Sequence, residues 1–289
     1  MKSVAKVLLA ALFFLAACGG QQANEQTDPQ KAVEPLAIAN EQLYKLSQPL
    51  ALAGVPAPVL VMPFDSGVVA LDTAEWDCSK VVVSGDLTDG DRDGIPVNAT
   101  YNGRCTWSYS DSSGSAEGHW EFTNLKIQDP DDADPGAGVK ASGQVSWGVQ
   151  TGTTSVTLVW NLDRHDLVKQ GATYNFDYEG SWTATVAGNT YNFKYDLSGD
   201  WTPDNASDPW GDGVINAKGS FSGSGPSCAS WSATFTLSAL HFQGSKIVSG
   251  SGSYTVTGCD GKTASATVTW SASRVCVTVG NNSACVPND

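Results

Sequence analysis

The sequence predicts an all-β protein, on three observations. From about Val61 onward, short runs of β-branched and aromatic residues are separated by Gly, Asn, Asp and Ser, the composition of strands and their turns. Within the runs, apolar residues recur at every second position. Trp231, Ala233, Phe235 and Leu237 fall on one face and Ser232, Thr234, Thr236 and Ser238 on the other, as in a strand buried on one side. No long helical period interrupts this pattern. Turn signals such as Gly188-Asn189 and Asp260-Gly261 predict hairpins, and so an antiparallel meander of about a dozen strands. A sheet of that size cannot stay flat, so it forms a sandwich or a barrel-like curved sheet. The pattern does not choose between them.

The N-terminus reads differently. Lys2 and Lys6 precede an apolar run from Val7 to Leu15, which has the length of a signal-peptide core and falls short of the roughly 20 apolar residues that a spanning helix needs. Leu15-Ala16-Ala17-Cys18 resembles the lipobox of bacterial lipoproteins. That resemblance implies cleavage before Cys18, diacylglycerol on its sulfur, and a further acyl chain such as palmitate on its amine. Several chains anchor firmly where one binds reversibly, at about 0.8 kcal/mol per buried methylene. Gly19, where an acidic residue could stand, suits sorting to an outer membrane in a cell that has one. The expected organisation is a lipoprotein signal peptide (1–17), a lipidated cysteine with a flexible tether (18–60) that includes one short helix near Ala37 to Ser47, and an all-β globular domain (61–289). The membrane is then the expected partner, through lipid on Cys18, and the domain lies in the cell envelope outside the cytoplasm.

The formal net charge is −14, and without Lys2 and Lys6 the chain carries 14 basic against 30 acidic side chains. No cluster of Lys and Arg is present, which speaks against nucleic acid as a partner. The acidity invites divalent cations instead. Of seven cysteines, six remain after Cys18, an even number that predicts disulfides in an exported chain. Proximity pairs Cys78 with Cys105, Cys228 with Cys259, and Cys276 with Cys285. For the last pair, Val275, Val277 and Val279 alternate up to Gly280-Asn281-Asn282-Ser283, where a reversal brings Cys285 back opposite Cys276. Without a CxxC pair, and with three scattered histidines, zinc ligation by cysteine is not expected.

The segment Asp89-Gly90-Asp91-Arg92-Asp93-Gly94-Ile95 carries carboxylates at relative positions 1, 3 and 5, a glycine at 6 and a main-chain carbonyl at 7. In an EF-hand-like loop these groups converge on one calcium ion. Asp89, Asp91, Asp93 and the Ile95 carbonyl are the expected ligands of a structural calcium. This short segment resembles the calcium loops of thrombospondin type 3 repeats and dockerins, without their repetition. Position 12, where an EF-hand has a bidentate acid, is Thr100. A distant carboxylate such as Asp86, or water, is expected to fill in, with affinity in the extracellular range of about 0.1 to 1 mM. The groups Asp129, Asp131, Asp132, Asp134 and Asp204, Asp208, Asp212 lack this spacing and read as surface loops. Asp93-Gly94-Ile95-Pro96-Val97-Asn98 is echoed by Asp212-Gly213-Val214-Ile215-Asn216, a match short enough for chance.

The three histidines have bland readings. His119 alternates outward with Glu121, His165 sits in the charged stretch Asp163-Arg164-His165-Asp166 that reads as a loop, and His241 marks a phase shift suggestive of a bulge. No G-x-S-x-G elbow, Gly-rich phosphate loop or H-E-x-x-H occurs, so the chain is not expected to be an enzyme. Of ten tryptophans, Trp120, Trp160, Trp231 and Trp270 lie in phase with apolar neighbours, whereas Trp201 and Trp210 stand in a polar stretch. The latter two either cap the sheet or stack on a sugar ring. Together these features predict a membrane-anchored binding or envelope-structural module with a structural calcium site. Two alternatives stand beside it: a carrier of an apolar ligand within the curved sheet, and an extracellular glycan hydrolase using unseen paired carboxylates such as Glu121 or Glu179.

Overall fold

The computed structural model describes residues 75–288, apart from 112–113, 152–153, 187, 210 and 245. Cys18, the tether with its expected helix, residues 61–74 of the expected domain and Trp210 lie outside the described residues. The strands are β1 (Glu75–Asp77), β2 (Val82–Asp86), β3 (Asn98–Asp111), β4 (Gly114–Gln128), β5 (Gly138–Thr151), β6 (Thr154–Gln170), β7 (Thr173–Val186), β8 (Asn189–Pro203), β9 (Gly213–Gly225), β10 (Cys228–Gln243), β11 (Lys246–Thr257), β12 (Thr263–Ser271), β13 (Arg274–Val279) and β14 (Asn282–Pro287). All pair antiparallel in one sheet. From β3 to β14 each strand lies beside its neighbour in sequence, and β1 and β2 share the outer edge of β3. The expected all-β meander is therefore present as one large sheet, neither a sandwich nor a closed barrel.

One face of this sheet is the core. Tyr101, Leu125, Ile127, Leu167, Phe176, Phe193, Leu197, Phe221, Phe235, Leu237, Tyr254, Val268 and Val277 are all buried and belong to a single contiguous cluster running from β3 to β13. Among the described residues no helix or second sheet covers them. The side chains bury one another as the sheet curls. In β10, Ala233, Phe235 and Leu237 point in and the intervening threonine and serine hydroxyls point out, as the period of two requires.

Bulges supply the curl, because an extra residue in one strand bends it and increases its twist. Register shifts cross adjacent strands between Tyr101 and Gly103, Thr123 and Lys126, Ala141 and Gly143, and Leu162 and Arg164. A second set lies between Leu237 and Leu240 and between Ser238 and His241, where the phase shift at His241 predicted a bulge. The two sets share a construction. Asn124 and Ala239 have φ of 48° and 49°, and each donates its N–H to an asparagine side chain on the preceding strand, Asn102 and Asn216, at 2.8 Å. On the following strand, Gly143 and Gly250 have φ of 120° and 121°. A Cβ on Gly143 would meet the Asn124 carbonyl oxygen at 2.3 Å, and one on Gly250 the Ala239 carbonyl oxygen at 2.6 Å. Only glycine fits there.

The meander sorts its connections by end. At one end β3–β4, β5–β6, β7–β8, β9–β10 and β13–β14 are joined by two residues each. At the other lie the long segments 87–97, 129–137 and 204–212, which hold the three aspartate groups. Disulfides fasten the edges. Cys78–Cys105 ties the chain after β1 to β3, Cys228–Cys259 joins β10 to the β11–β12 turn, and Cys276–Cys285 links directly paired residues of β13 and β14. All three expected pairings are present. They mark the domain as one folded in an oxidising, extracytoplasmic environment.

Candidate metal centre

The Asp89 loop leaves β2 through a turn in which Asp86 Oδ1 accepts from the Thr88 N–H at 3.1 Å and its hydroxyl at 2.7 Å. It closes where the Val97 N–H donates to the Thr88 carbonyl at 2.9 Å. Inside, the Gly94 N–H donates to Asp89 Oδ2 at 3.1 Å, the Asp93 N–H to Asp91 Oδ1 at 3.1 Å, and the Ile95 N–H to Asp93 Oδ1 at 2.7 Å. Two residues with positive φ, Arg92 at 65° and Gly94 at 89°, wind the chain tightly enough for this. Each amide fixes one carboxylate oxygen and so aims the other. Asp89, Asp91 and Asp93 offer oxygens within 4.8 Å of one another, the convergence that the spacing predicted. Asp89 Oδ1 and Asp91 Oδ2 are buried without a hydrogen-bond partner. Ile95 packs its side chain against the core.

A second set of acids approaches the loop from the β4–β5 connection. The β3–β4 hairpin returns the chain beside its own start, and the Asp129 N–H donates to the Pro96 carbonyl at 3.0 Å. Asp132 Oδ1 accepts from the Gly90 N–H at 2.6 Å. Asp91, Asp129 and Asp132 form a second group with oxygens within 4.8 Å of one another. Asp129 is only 4% exposed. Its Oδ1 takes the Asp131 N–H at 2.9 Å, while Oδ2 is buried with no partner. Asp86, the expected substitute, turns Oδ1 to Thr88, and Asp129 and Asp132, in the loop 129–137 as expected, stand beside the Asp89 loop. Of their group, Asp134 pairs with Lys169 at 2.7 Å.

Electrostatically the centre is unbalanced. Burial holds the Asp93 and Asp129 carboxyls above the usual carboxylate range; Asp91, Asp129 and Asp89 push further on the first, and Asp91, Asp132 and Asp131 on the second. Backbone N–H groups of Ile95 and Asp131 oppose the shift. Among the described residues, the charged side chains that raise these two carboxyls are other aspartates. Such an arrangement in a partly dry site favours a bound cation strongly.

The other sequence candidates fall elsewhere. His165 is not in a loop. The bulged Asp163 shifts the phase of β6, so Arg164 turns outward to Asp177 at 2.9 Å and Glu179 at 3.3 Å while His165 turns into the core. There Tyr195 OH accepts from Trp160 Nε1–H at 2.6 Å and shares a hydrogen bond with His165 Nε2 at 2.6 Å, and burial lowers the imidazole pKa to about 4. His241 pairs with Asp204 at 2.7 Å. Trp201 is fully buried with its Nε1–H on the Pro209 carbonyl at 2.8 Å, a cap on the core and no platform for a sugar. Glu121 pairs with Arg104 on the outer face. A groove of about 460 Å³ lies there, lined by Glu75, Asp77, Arg104, Glu117 and His119 among others.

Comparison of the chain with protein-family models, with curated proteins and with solved structures found no match.

Proposed function

We propose that the protein is an exported bacterial lipoprotein, held to a membrane by lipid on Cys18, whose all-β domain is a binding or structural module of the cell envelope ordered by calcium at the Asp89 loop. The observation that carries the calcium reading is the pair of buried, partnerless oxygens, Asp89 Oδ1 and Asp91 Oδ2, within one triad of acids. A protein does not leave such atoms dry without compensation, since each costs about 1 to 3 kcal/mol or more when charged. The role is structural, because Asp89, Asp91 and Asp93 all spend oxygens on their own loop's amides. The lipobox and the three disulfides support the address.

Calorimetric melting of the full chain in chelator, then with calcium raised to several millimolar, tests the first part. A rising midpoint is expected, and an unchanged one would remove the metal from the reading. Metabolic labelling with radioactive palmitate tests the anchor. Label is expected in the wild type and absent in Cys18→Ser; equal label in both would refute it.

A further inference from the structure

The acid centre consists of two triads rather than one. Asp89, Asp91 and Asp93 belong to the β2–β3 loop, Asp129 and Asp132 to the β4–β5 loop, and Asp91 is common to both groups. We propose that the centre binds two calcium ions side by side, bridged by the Asp91 carboxylate, the second ion being held by Asp91, Asp129 and Asp132. This rests on the reading of the Asp89 loop as a calcium site and extends it by an ion and by a second loop.

Three features carry the second ion. Asp129 is 4% exposed, and its Oδ2 is buried in the second triad with no donor. That atom is independent of the loop motif, for it enters from another hairpin. Asp132 is positioned by the Gly90 N–H on Oδ1, which fixes the two loops against each other. Finally, Asp91 has one oxygen on the Asp93 N–H and the other buried without partner. A carboxylate has about four lone-pair sites on its two oxygens, so Asp91, common to both triads, can bridge an ion on each side. Five carboxylates stand in this space. One divalent cation would leave much of that charge uncompensated. Oxygen-only donors from two loops suit calcium, which takes about six to eight oxygens in irregular geometry, over magnesium, which demands tighter octahedral geometry and sheds water reluctantly. The two ions would then cross-link the loops and hold the β3–β4 hairpin closed at its open end.

The test is stoichiometry. Equilibrium dialysis of the full-length wild-type chain against calcium is expected to saturate at two ions per chain, Asp129→Asn at one and Asp93→Asn at one. Saturation of the wild type at one overturns the second ion while leaving the Asp89 loop reading intact; no binding at all overturns both. Loss of all binding in Asp129→Asn would also overturn it, by showing a single composite site. Asp132→Asn repeats the measurement should Asp129→Asn fail to fold. Independently, terbium and europium loaded together should show energy transfer between the ions in the wild type. Its absence in a doubly loaded chain overturns the bridge.

Discussion

Replacing Asp91 by asparagine should reverse the sign of its effect on stability between chelator and calcium. The new side chain keeps an oxygen to accept the Asp93 N–H, now made at 3.1 Å, so the turn survives. Its amide would stand where Asp91 Oδ2 is now, beside acids that have buried oxygens without donors. Without metal, the substitution removes one of several mutually repelling charges and introduces N–H donors, so the variant should melt above the wild type. With calcium the order inverts. For one ion with Kd of about 0.1 to 1 mM, about 5 mM calcium stabilises the wild type by RT ln(1 + [Ca]/Kd), about 1 to 2 kcal/mol. For a domain of this size that is roughly 2 to 9 °C in Tm, all of which Asp91→Asn should lose. Calorimetry of both chains in both media measures it. A variant destabilised equally with and without calcium would show that Asp91 is merely a turn residue and would refute the reasoning.

The core histidine gives a pH prediction. His165 has a folded pKa of about 4 against an ordinary value of 6.5, so the unfolded chain binds the proton first, and stability present above pH 6.5 is lost as pH falls to 4. The loss amounts to about 3 kcal/mol and should be missing from His165→Gln, as comparison of urea titrations at about pH 7 and pH 4 would show. Gly143→Ala and Gly250→Ala should each cost about 2 kcal/mol or more, from positive φ and contact with a backbone carbonyl, whereas an innocuous result in chemical denaturation would contradict the bulge geometry. Removing Cys228–Cys259, which spans 31 residues, should destabilise by about 4 kcal/mol and removing Cys276–Cys285, which spans 9, by about 3 in the chain-entropy account; the reverse ranking in reversible melting would argue against that account.

The strands and their buried faces were legible because a period of two is a local signal. Trp231, Ala233, Phe235 and Leu237 needed no partner to reveal their common side. What covers that side is not local, which is why the pattern left a sandwich and a curved sheet as alternatives and only the pairing from β3 to β14 decides between them. Bulges defeat the period, since one extra residue exchanges the faces. Asp163 does this in β6, so a histidine flanked by charges belongs to the core. The Asp89 loop was readable because its acids lie within seven residues, whereas Gly90 and Asp132 are 42 apart. A signal did exist. Once β3 and β4 are taken as a hairpin, their register carries Asp129 to the start of β3, where Ala99 pairs with Ile127, and places the second acid group beside the first.

The repeated bulge construction places a joint between two loops in each half of the sheet, and the aspartates of the two joints are satisfied differently. Asn102, Asn124 and Gly143 in β3 to β5 correspond to Asn216, Ala239 and Gly250 in β9 to β11, and the loop ahead of each unit touches the turn after its second strand. In the second unit Asp212 Oδ1 accepts the Gly244 N–H at 2.6 Å and Asp204 Oδ2 meets His241 at 2.7 Å, so protein donors satisfy those acids. The first unit has Asp132 on the Gly90 N–H at 2.6 Å, but among the described residues no basic side chain takes the place of His241. Among the described residues the buried carboxylate oxygens without partners all belong to this first unit, on Asp89, Asp91 and Asp129. One scaffold thus solves the same problem, joining two loops at the open end of a bent hairpin, by hydrogen bonds in one half. In the other it concentrates aspartates whose buried oxygens lack a donor among the described residues, so that, on the proposed calcium binding, the stability of that half would follow calcium in the surrounding medium.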